Sequence, residues 1–405
     1  MRAPTVPWSL LAFCLTQACT QAASPTDAQR AGLKPSLAAA PSSGSKSPAP
    51  ELDRSVCGLP EDLSRENWPR DLVPHQQLDP DPPHLQDITI AVLPDTQYYT
   101  SCREKHFAAQ TKYVAHLARS RRIVASVFLG DLTEHNEAEE WRFVGEALSL
   151  LPRDVPIVLA TGNHDYGLGG TSNVRSTLFN DFLKATPKTQ SVMVEQMEPN
   201  HLENVFYRID DPTLSLAILV LEWSPRDKAV AWAKNMLLKY PDERLIFVTH
   251  AYLYYDDTRY DWERYGQDQR WNPLAYGTAK RDPDRPPGGD NVHPDGAWDG
   301  ERLWQGLLSD YAGLFLTLNG HVLGDGSGLS SVRGQHGNLV HQVLVNYQVL
   351  EEGGLGYLRL LEFAHDGTTL RMKTYSPSLD RYATASDQLY TLTLEPPLRP
   401  ALTVQ

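Results

Sequence analysis

From Asp87 onward, short apolar segments alternate with amphipathic ones, and this alternation restricts the fold more than any other feature of the chain. The apolar runs, which have the length of strands, cover residues 88–93, 123–129, 155–160, 244–250 and 313–319. The segments with helical spacing of apolar side chains cover residues 103–121, 137–151, 177–185, 227–240 and 300–311. Strands that alternate with helices form sheets covered by helices.

The later part of the chain changes to a run of strands. Two stretches, 204–210 and 214–223, flank Asp211-Pro212 and predict a β-hairpin. Four further predicted strands follow one another without helices between them, at 339–347, 356–363, 369–375 and 388–394. We therefore predict a layered α/β fold with mixed sheets, in which the last strand either closes a sheet or adds an edge to it.

Composition excludes one class of partner. The chain of 405 residues has a net charge of -13, with 37 basic and 50 acidic residues. A nucleic-acid duplex needs a basic surface, so it is not an expected partner. A small anionic substrate fits the charge, because metal ions can supply local positive charge.

The N-terminal residues predict export. Arg2 is the one charge before Asp27, and a short apolar core covers residues 8–15. Residues 1–19 are therefore a predicted signal peptide, and two alternatives stay open: ordinary cleavage, or cleavage before a lipidated Cys19. Residues 20–50 are a predicted disordered tether and residues 51–86 a predicted N-terminal extension that packs on the domain. We expect a periplasmic, cell-surface or secreted protein that meets a membrane only through such a lipid.

Two cysteines remain once the signal is removed. In an exported protein, Cys57 and Cys102 are expected to form a disulfide, and the alternative is two free buried thiols.

Five predicted strands are followed by residues of the types that commonly bind metals. The polar residues that follow these strands are Asp95 and Gln97, Asp131, Asn163 with His164 and Asp165, His250, and His321. In α/β sheets, ligands bind beyond the carboxyl ends of strands, and these side chains suit Mn, Fe or Zn. Taken singly, each aspartate is a turn residue and His250 a core histidine. The ordered series of five predicts a metal site.

The series "PDTQ", "GDLTEH", "GNHD", "VTH" and "NGH" resembles the calcineurin-like metallophosphoesterases, and later stretches such as "WNP" and "NYQ" resemble an exported bacterial branch of them. The resemblance covers residues 87–380 and leaves 381–405 as a C-terminal strand and tail. It implies a four-layer α/β/β/α sandwich that holds two divalent ions at the sheet ends.

The resemblance also implies roles for individual residues. The metal ligands by position are Asp95, Gln97, Asp131, Asn163, His250 and His321, with Asp131 bridging the two ions. His164 would act on the substrate. Asp165 would orient His164, and the alternative is a turn residue.

The chain departs from the family pattern at the first metal. Gln97 and Leu323 occupy positions where the family has histidine, so we expect a weaker first site beside a complete second one. Asp325, His336 and His341 are candidates to compensate.

The long segment 252–299 is expected to select the substrate. Arg259 would clamp a phosphate, and Tyr252 and Tyr254 would contact the rest of a small phosphorylated substrate. The alternative is that these aromatic residues pack the segment onto the domain.

We therefore expect an exported hydrolase of phosphomonoesters or phosphodiesters that uses a metal-activated hydroxide. Two alternatives stay open: a weakly active or inactive metal-binding or ligand-binding protein on the same fold, and a hydrolase of pyrophosphate bonds.

Overall fold

The computed structural model describes residues 79–183, 191–212, 214–280, 296–322 and 326–396. The predicted signal peptide and tether, Cys19, the Cys57–Cys102 bridge, Leu323 and Asp325 lie outside these residues or depend on residues outside them. Among the described residues, no helix has the length and apolar character needed to cross a membrane.

Fourteen strands are found in the described residues. In chain order they are β1 (Ile88–Leu93), β2 (Arg122–Phe128), β3 (Ile157–Leu159), β4 (Met193–Gln196), β5 (Val205–Ile209), β6 (Leu216–Val220), β7 (Leu245–Val248), β8 (Leu314–Asn319), β9 (Ser327–Arg333), β10 (Leu339–Val345), β11 (Leu358–Phe363), β12 (Thr369–Ser376), β13 (Arg381–Ala383) and β14 (Leu389–Thr393).

Helices occupy the segments between the parallel strands. They are α1 (Gln97–Cys102), α2 (Glu104–Leu117), α3 (Ala138–Ser149), α4 (Phe179–Phe182), α5 (Asp227–Lys239), α6 (Trp262–Tyr265), α7 (Gly277–Lys280) and α8 (Gly300–Leu303), the last continued by a π-helical turn over Trp304–Leu308.

The strands form two mixed sheets. The first has the order β13-β12-β11-β1-β2-β3, with β14 paired to β12, and the second has the order β4-β5-β6-β7-β8-β10-β9. Strands β1, β2 and β3 are parallel, as are β6, β7, β8 and β10. Parallel strands place their carboxyl ends at one edge, so the polar residues that follow β1, β2, β3, β7 and β8 meet there.

Alternating side chains of the second sheet reach two different cores. Ile218, Val220 and Val248 belong to the core that also contains the first sheet. Leu219 and Phe247 belong to a second core, which α5 and the segment 300–308 complete. Side chains that alternate along a strand point to opposite faces, so the second sheet lies between the first sheet and a helical layer.

The outer face of the first sheet is covered in the same way. Phe107 and Val114 of α2 and Val144 of α3 are buried in the core that contains β1 and β2. The layers are therefore helices, sheet, sheet and helices, which confirms the predicted four-layer α/β/β/α fold with mixed sheets.

Some elements differ from the sequence prediction. Strands β4, β9 and β13 were not predicted, because they are short or rich in serine and lack a continuous apolar pattern. The predicted strand 388–394 is observed as β14, which pairs antiparallel with β12 at the border of the first sheet. The predicted helix 300–311 ends its regular turns at residue 308.

Candidate metal centre

Three predicted ligands converge at the shared sheet edge. Asp131, His250 and His321 are buried, and one ligand atom of each lies within 4.8 Å of the others. Nε2 of His250 lies 3.1 Å from Oδ2 of Asp131 and 3.8 Å from Oδ1 of Asp95. Residues separated by up to 226 positions in the chain thus form one group of acidic and imidazole donors.

Asp95 is fixed by the backbone of a neighbouring ligand. Both of its carboxylate oxygens accept from the backbone N–H of His321, at 3.0 and 3.2 Å. A Cβ at Gly320 would overlap the Asp95 carboxylate, so only glycine fits there. Gly320 and His321, directly after β8, therefore fix the position of the predicted ligand Asp95.

Asp131 is positioned by the turn after β3. Its Oδ1 accepts from the backbone N–H of His164 at 2.8 Å, and a Cβ at Gly162 would overlap the same oxygen. Asp131 itself has a φ of 47°, a left-handed conformation that is uncommon outside glycine. Such conformations cluster at functional sites.

Backbone carbonyl groups hold all three histidine rings of the site. His250 Nδ1 lies 2.8 Å from the carbonyl oxygen of Leu129, and His164 Nδ1 lies 2.9 Å from that of Glu134. His321 Nε2 lies 2.7 Å from that of Trp271. Each of these nitrogens must donate, which leaves the other nitrogen of each ring as a lone-pair donor for a cation.

Whether a metal fits this site can be judged from the buried polar atoms that lack a described hydrogen-bond partner. Among the described residues, Oε1 of Gln97, Oδ1 of Asn163 and Nε2 of His250 are buried without a hydrogen-bond partner. All three are acceptors. Buried polar groups are normally satisfied, so this set of lone pairs calls for a cation, and with Asp95 and Asp131 it fits one or two divalent ions.

Without a bound cation, the buried groups of this cluster shift one another's pKa: burial lowers the pKa of His250, but the carboxylates of Asp131 and Asp95 outweigh burial and raise that pKa to about 9. Burial raises the pKa of Asp131, but the charges of His250 and His164 outweigh it and lower that pKa to about 2. Burial and the charge of His250 lower the pKa of His321 to about 3, so its ring is neutral. Burial and the charge of Asp131 raise the pKa of Asp95 to about 7. Two carboxylates this close are repelled unless a cation lies between them.

Asp165 has a different place from the one predicted. Its carboxylate accepts from the backbone N–H groups of Gly162 (2.8 Å), Thr133 (3.0 Å) and Leu132 (3.2 Å) and from the Thr133 hydroxyl. The His164 ring donates to Glu134 instead. The prediction that Asp165 orients His164 is therefore corrected: Asp165 joins the loop after β2 to the turn after β3.

The candidate compensating histidines lie elsewhere. His336 is exposed and faces Asp310, while His341 bonds to Ser331 and to the carbonyl of Thr393. Neither belongs to the described ligand group, because His336 is paired with Asp310 before β8 and His341 with residues of β9 and β14.

The predicted substrate residues of segment 252–299 are buried or paired with residues of the domain. Arg259 donates to Glu301 at 2.5 Å and to Gln342 at 3.2 Å, so its charge is already paired. Tyr252 is fully buried, and its hydroxyl accepts from Gln342. Tyr254 is buried against Tyr260, with ring centroids 5.0 Å apart. The prediction is corrected in favour of its alternative, because the chain turns inward directly after His250.

An aromatic wall was missed by the sequence reasoning. The indole ring of Trp223 lies 5.6 Å from the His250 ring and 4.9 Å from the His321 ring, between centroids. Tyr276 lies 5.2 Å from Trp223 and 6.3 Å from His321. The only sequence signal for Trp223 was its place directly after the apolar run of β6.

The fold and the site together define a metallophosphoesterase-like domain: two mixed sheets between helices, with Asp, Asn and His donors at one shared edge. Residues 88–274 match the model of the family described as calcineurin-like phosphoesterase. The match confirms the predicted resemblance.

Similarity to known proteins includes the following three. The protein YvnB of Bacillus subtilis is 22% identical over 338 residues, which are 78% of this chain and 23% of YvnB, so the chain spans about a quarter of the length of the curated relative it matches. The purple acid phosphatase PPD1 of yellow lupin is 16% identical with a TM-score of 0.44, covering 78% of this chain and 55% of that one. The NAD nucleotidase NadN of Haemophilus influenzae is 10% identical with a TM-score of 0.35, covering 76% and 50%.

Proposed function

We propose that this protein is a metal-dependent hydrolase of small phosphoesters. One observation carries the proposal: Gln97 Oε1, Asn163 Oδ1 and His250 Nε2 are buried acceptors without partners, next to the carboxylates of Asp95 and Asp131. Such a set of lone pairs is costly unless a cation binds it. The match to the calcineurin-like phosphoesterase model supports the choice of reaction.

The ligands divide between two positions. Asp131, Asn163, His250 and His321 would hold one divalent ion, and Asp95 with Gln97 and a shared Asp131 would hold a second, weaker one. Bound ions of this kind neutralise phosphoryl charge and lower the pKa of water to about 7.

His164 is the residue of this chain best placed to act on the substrate. Its backbone N–H holds Asp131 at 2.8 Å, so the ring lies beside the ligand group. Nδ1 donates to the Glu134 carbonyl at 2.9 Å, and 30% of the side chain is exposed. Nε2 is therefore the nitrogen free to bind a phosphoryl oxygen or to protonate the leaving oxygen.

The first test counts metal ions. The full chain is equilibrated with Mn, Fe or Zn, desalted, and measured by elemental analysis. About two ions per chain support the two-ion proposal, and about one ion confines binding to the group with His250 and His321 and favours the weakly active alternative. No bound ion overturns the ligand assignment.

The second test measures hydrolysis. The metal-loaded protein is assayed with p-nitrophenyl phosphate and bis(p-nitrophenyl) phosphate, which separates monoesterase from diesterase activity. We expect His164→Asn to lower kcat by roughly 10²–10⁴ with the metal content unchanged. His135→Asn is the matched control, because His135 follows Glu134, whose carbonyl contacts the His164 ring, but bonds to Glu140 at 3.1 Å. An equal effect of both variants contradicts the role of His164.

Export is a separate part of the proposal. It is supported by the pattern of residues 1–19 in the sequence, and it is tested by fractionating cells that express the full chain and the Cys19→Ala variant. Export with loss of membrane association in Cys19→Ala supports the lipidated form, whereas soluble export of both supports ordinary cleavage.

A further inference from the structure

Two asparagine side chains stand apart from the acceptors described above. Among the described residues, the buried amide nitrogens without a hydrogen-bond acceptor are Nδ2 of Asn272 and Nδ2 of Asn346. The exposed fraction is 0% for Asn272 and 1% for Asn346. A buried donor without an acceptor is costly, and such groups in native proteins call for an explanation.

The orientation of both amides is fixed by the same local contact. Oδ1 of Asn272 accepts from the backbone N–H of Leu274 at 3.0 Å, and Oδ1 of Asn346 accepts from that of Gln348 at 2.9 Å. Because each oxygen has its donor, the remaining amide atom is the nitrogen. Each asparagine therefore presents N–H groups that nothing in the described protein accepts.

Asn272 lies close to the predicted metal group because its neighbour Trp271 contacts His321. The carbonyl oxygen of Trp271 is 2.7 Å from Nε2 of His321. Trp271 has a φ of 59°, a left-handed conformation that is a genuine outlier for a bulky residue. Backbone strain of this kind is found where a site requires a particular geometry.

Asn346 lies next to the same ligand through strand register. In the parallel ladder of β8 and β10, Asn319, the last residue of β8, is level with Leu344, so His321 and Asn346 leave neighbouring strands at the same edge of the sheet. The N–H of Asn346 donates to the carbonyl of Gly326 at 2.9 Å. The chain after β10 thus leaves the sheet at the edge where the ligands lie.

The loop that follows Asn346 packs on the start of α1, beside Gln97. A Cβ at Gly353 would lie 2.7 Å from Cβ of Tyr98, and one at Gly354 would lie 2.7 Å from the Tyr99 hydroxyl and 3.0 Å from the Tyr347 carbonyl oxygen. The segment therefore crosses between the two sheets at the side of Asp95 and Gln97.

The buried atoms without described partners around His321 thus fall into two sets, acceptors and donors. Gln97, Asn163 and His250 offer lone pairs, which suit a cation, whereas Asn272 and Asn346 offer N–H groups, which suit an anion. A phosphoester bound to divalent ions would use both sets of atoms. The lone pairs would bind the cations, and the phosphoryl oxygens would accept hydrogen bonds from the N–H groups.

We propose that Asn272 and Asn346 bind phosphoryl oxygens of the substrate through Nδ2–H, from the two loops that flank His321. The inference rests on the proposed function and adds two substrate-binding residues to it. Neutral amide donors suit this chain, because Arg259, the predicted phosphate clamp, is paired with Glu301.

The test measures binding of inorganic phosphate to the full, Mn-loaded chain by calorimetry. Asn→Asp keeps the oxygen that accepts from the backbone and removes both N–H donors, and Asn→Ala removes the donors without adding charge. Asn272→Ala and Asn346→Ala are expected to weaken phosphate binding about tenfold each, and the Asp variants more, with the Mn content unchanged. Asn235→Asp, on the exposed face of α5, controls for added charge alone.

The outcomes separate the inference from the proposed function. If the wild type binds phosphate and hydrolyses esters while all four variants bind phosphate as tightly, the inference is overturned and the function stands. If the Mn-loaded wild type binds no phosphate, both fail. Loss of Mn in the Asn→Ala variants also overturns the inference, since it would place these residues on the cation.

Discussion

The carbonyl oxygen of Trp271 accepts a hydrogen bond from Nε2 of His321 at 2.7 Å, although the two residues are separated by 50 positions. This contact leaves Nδ1 of His321 as the lone-pair nitrogen of its ring, and Trp271 makes the contact from a backbone with a φ of 59°. The segment that was expected to select the substrate therefore also holds a predicted metal ligand.

The Trp271 backbone can be tested by two substitutions. Trp271→Pro imposes a φ near −65° and should withdraw the carbonyl from His321, so we expect weaker metal binding, measured by elemental analysis after desalting. Trp271→Gly adopts a positive φ freely and should keep its metal. Equal metal loss in both variants would mean that the indole ring, not the carbonyl position, supports the site.

Gly320 should accept no side chain. Gly320→Ala places a methyl group on the Asp95 carboxylate, so we expect loss of metal and of any phosphoesterase activity. Gly145→Ala is the matched control, because a Cβ there has no atom within 4 Å and lies in α3. The control should be more stable by about 0.5–1 kcal/mol in chemical unfolding. Full metal content in Gly320→Ala would refute the steric argument.

Asp165 should act on stability more than on the histidine ring. Removing its carboxylate in Asp165→Ala leaves the buried N–H groups of Gly162, Leu132 and Thr133 without an acceptor. We expect the free energy of unfolding to fall by roughly 2–4 kcal/mol. In Asp165→Asn, the pH profile of the remaining activity should match that of the wild type. A shifted profile would restore the predicted link to His164.

The buried Glu222 should make stability depend on pH. Burial raises its pKa, but Arg175 and Arg226 outweigh burial and lower that pKa to about 2, below the ordinary 4.5. A lowered pKa stabilises the folded protein above the unfolded pKa, and this contribution is lost as the pH falls from about 4.5 toward 2. We expect Glu222→Gln to cost at most about 3 kcal/mol at pH 7 and less at pH 4, measured by urea unfolding. A cost that is independent of pH would show that packing, not charge, dominates.

Arg259 should affect the fold and not the substrate. It pairs with Glu301 at 2.5 Å and its guanidinium lies 5.0 Å from the ring centroid of Trp304. We expect Arg259→Gln to lower the free energy of unfolding by about 1 kcal/mol and to leave the KM for p-nitrophenyl phosphate unchanged. The exposed Arg333–Glu395 pair provides the control, Arg333→Gln, which should change neither quantity. A raised KM in Arg259→Gln alone would return Arg259 to the site.

The sequence predicted the ligand group because the positions of its members follow from the arrangement of the strands. Apolar runs define parallel strands, and the residues that follow such strands must meet at one edge of the sheets. Asp131, His250 and His321 came together for this reason, although 190 positions separate the first from the last. No knowledge of the loops was needed.

Sequence proximity was a poor guide beyond the strand ends. Arg259 lies nine positions after His250, yet the chain turns back at residues 254–258, where the N–H of Tyr254 donates to the carbonyl of Thr258, and Leu253 pairs with Arg259. This turn directs Arg259 to Glu301. The direction of a loop depends on contacts with distant segments, which no local pattern contains.

The sequence by itself determined which donor atoms this protein carries and that they share one edge of the fold. The tertiary structure decided which nitrogen of each histidine remains for a cation, because the carbonyl groups of Leu129, Glu134 and Trp271 select it. It also decided that Asp165 joins two loops and that Asn272 and Asn346 have amide N–H groups that no described residue accepts. The physical reason is that every residue has a backbone carbonyl, so the identity of a residue does not show where that carbonyl will lie.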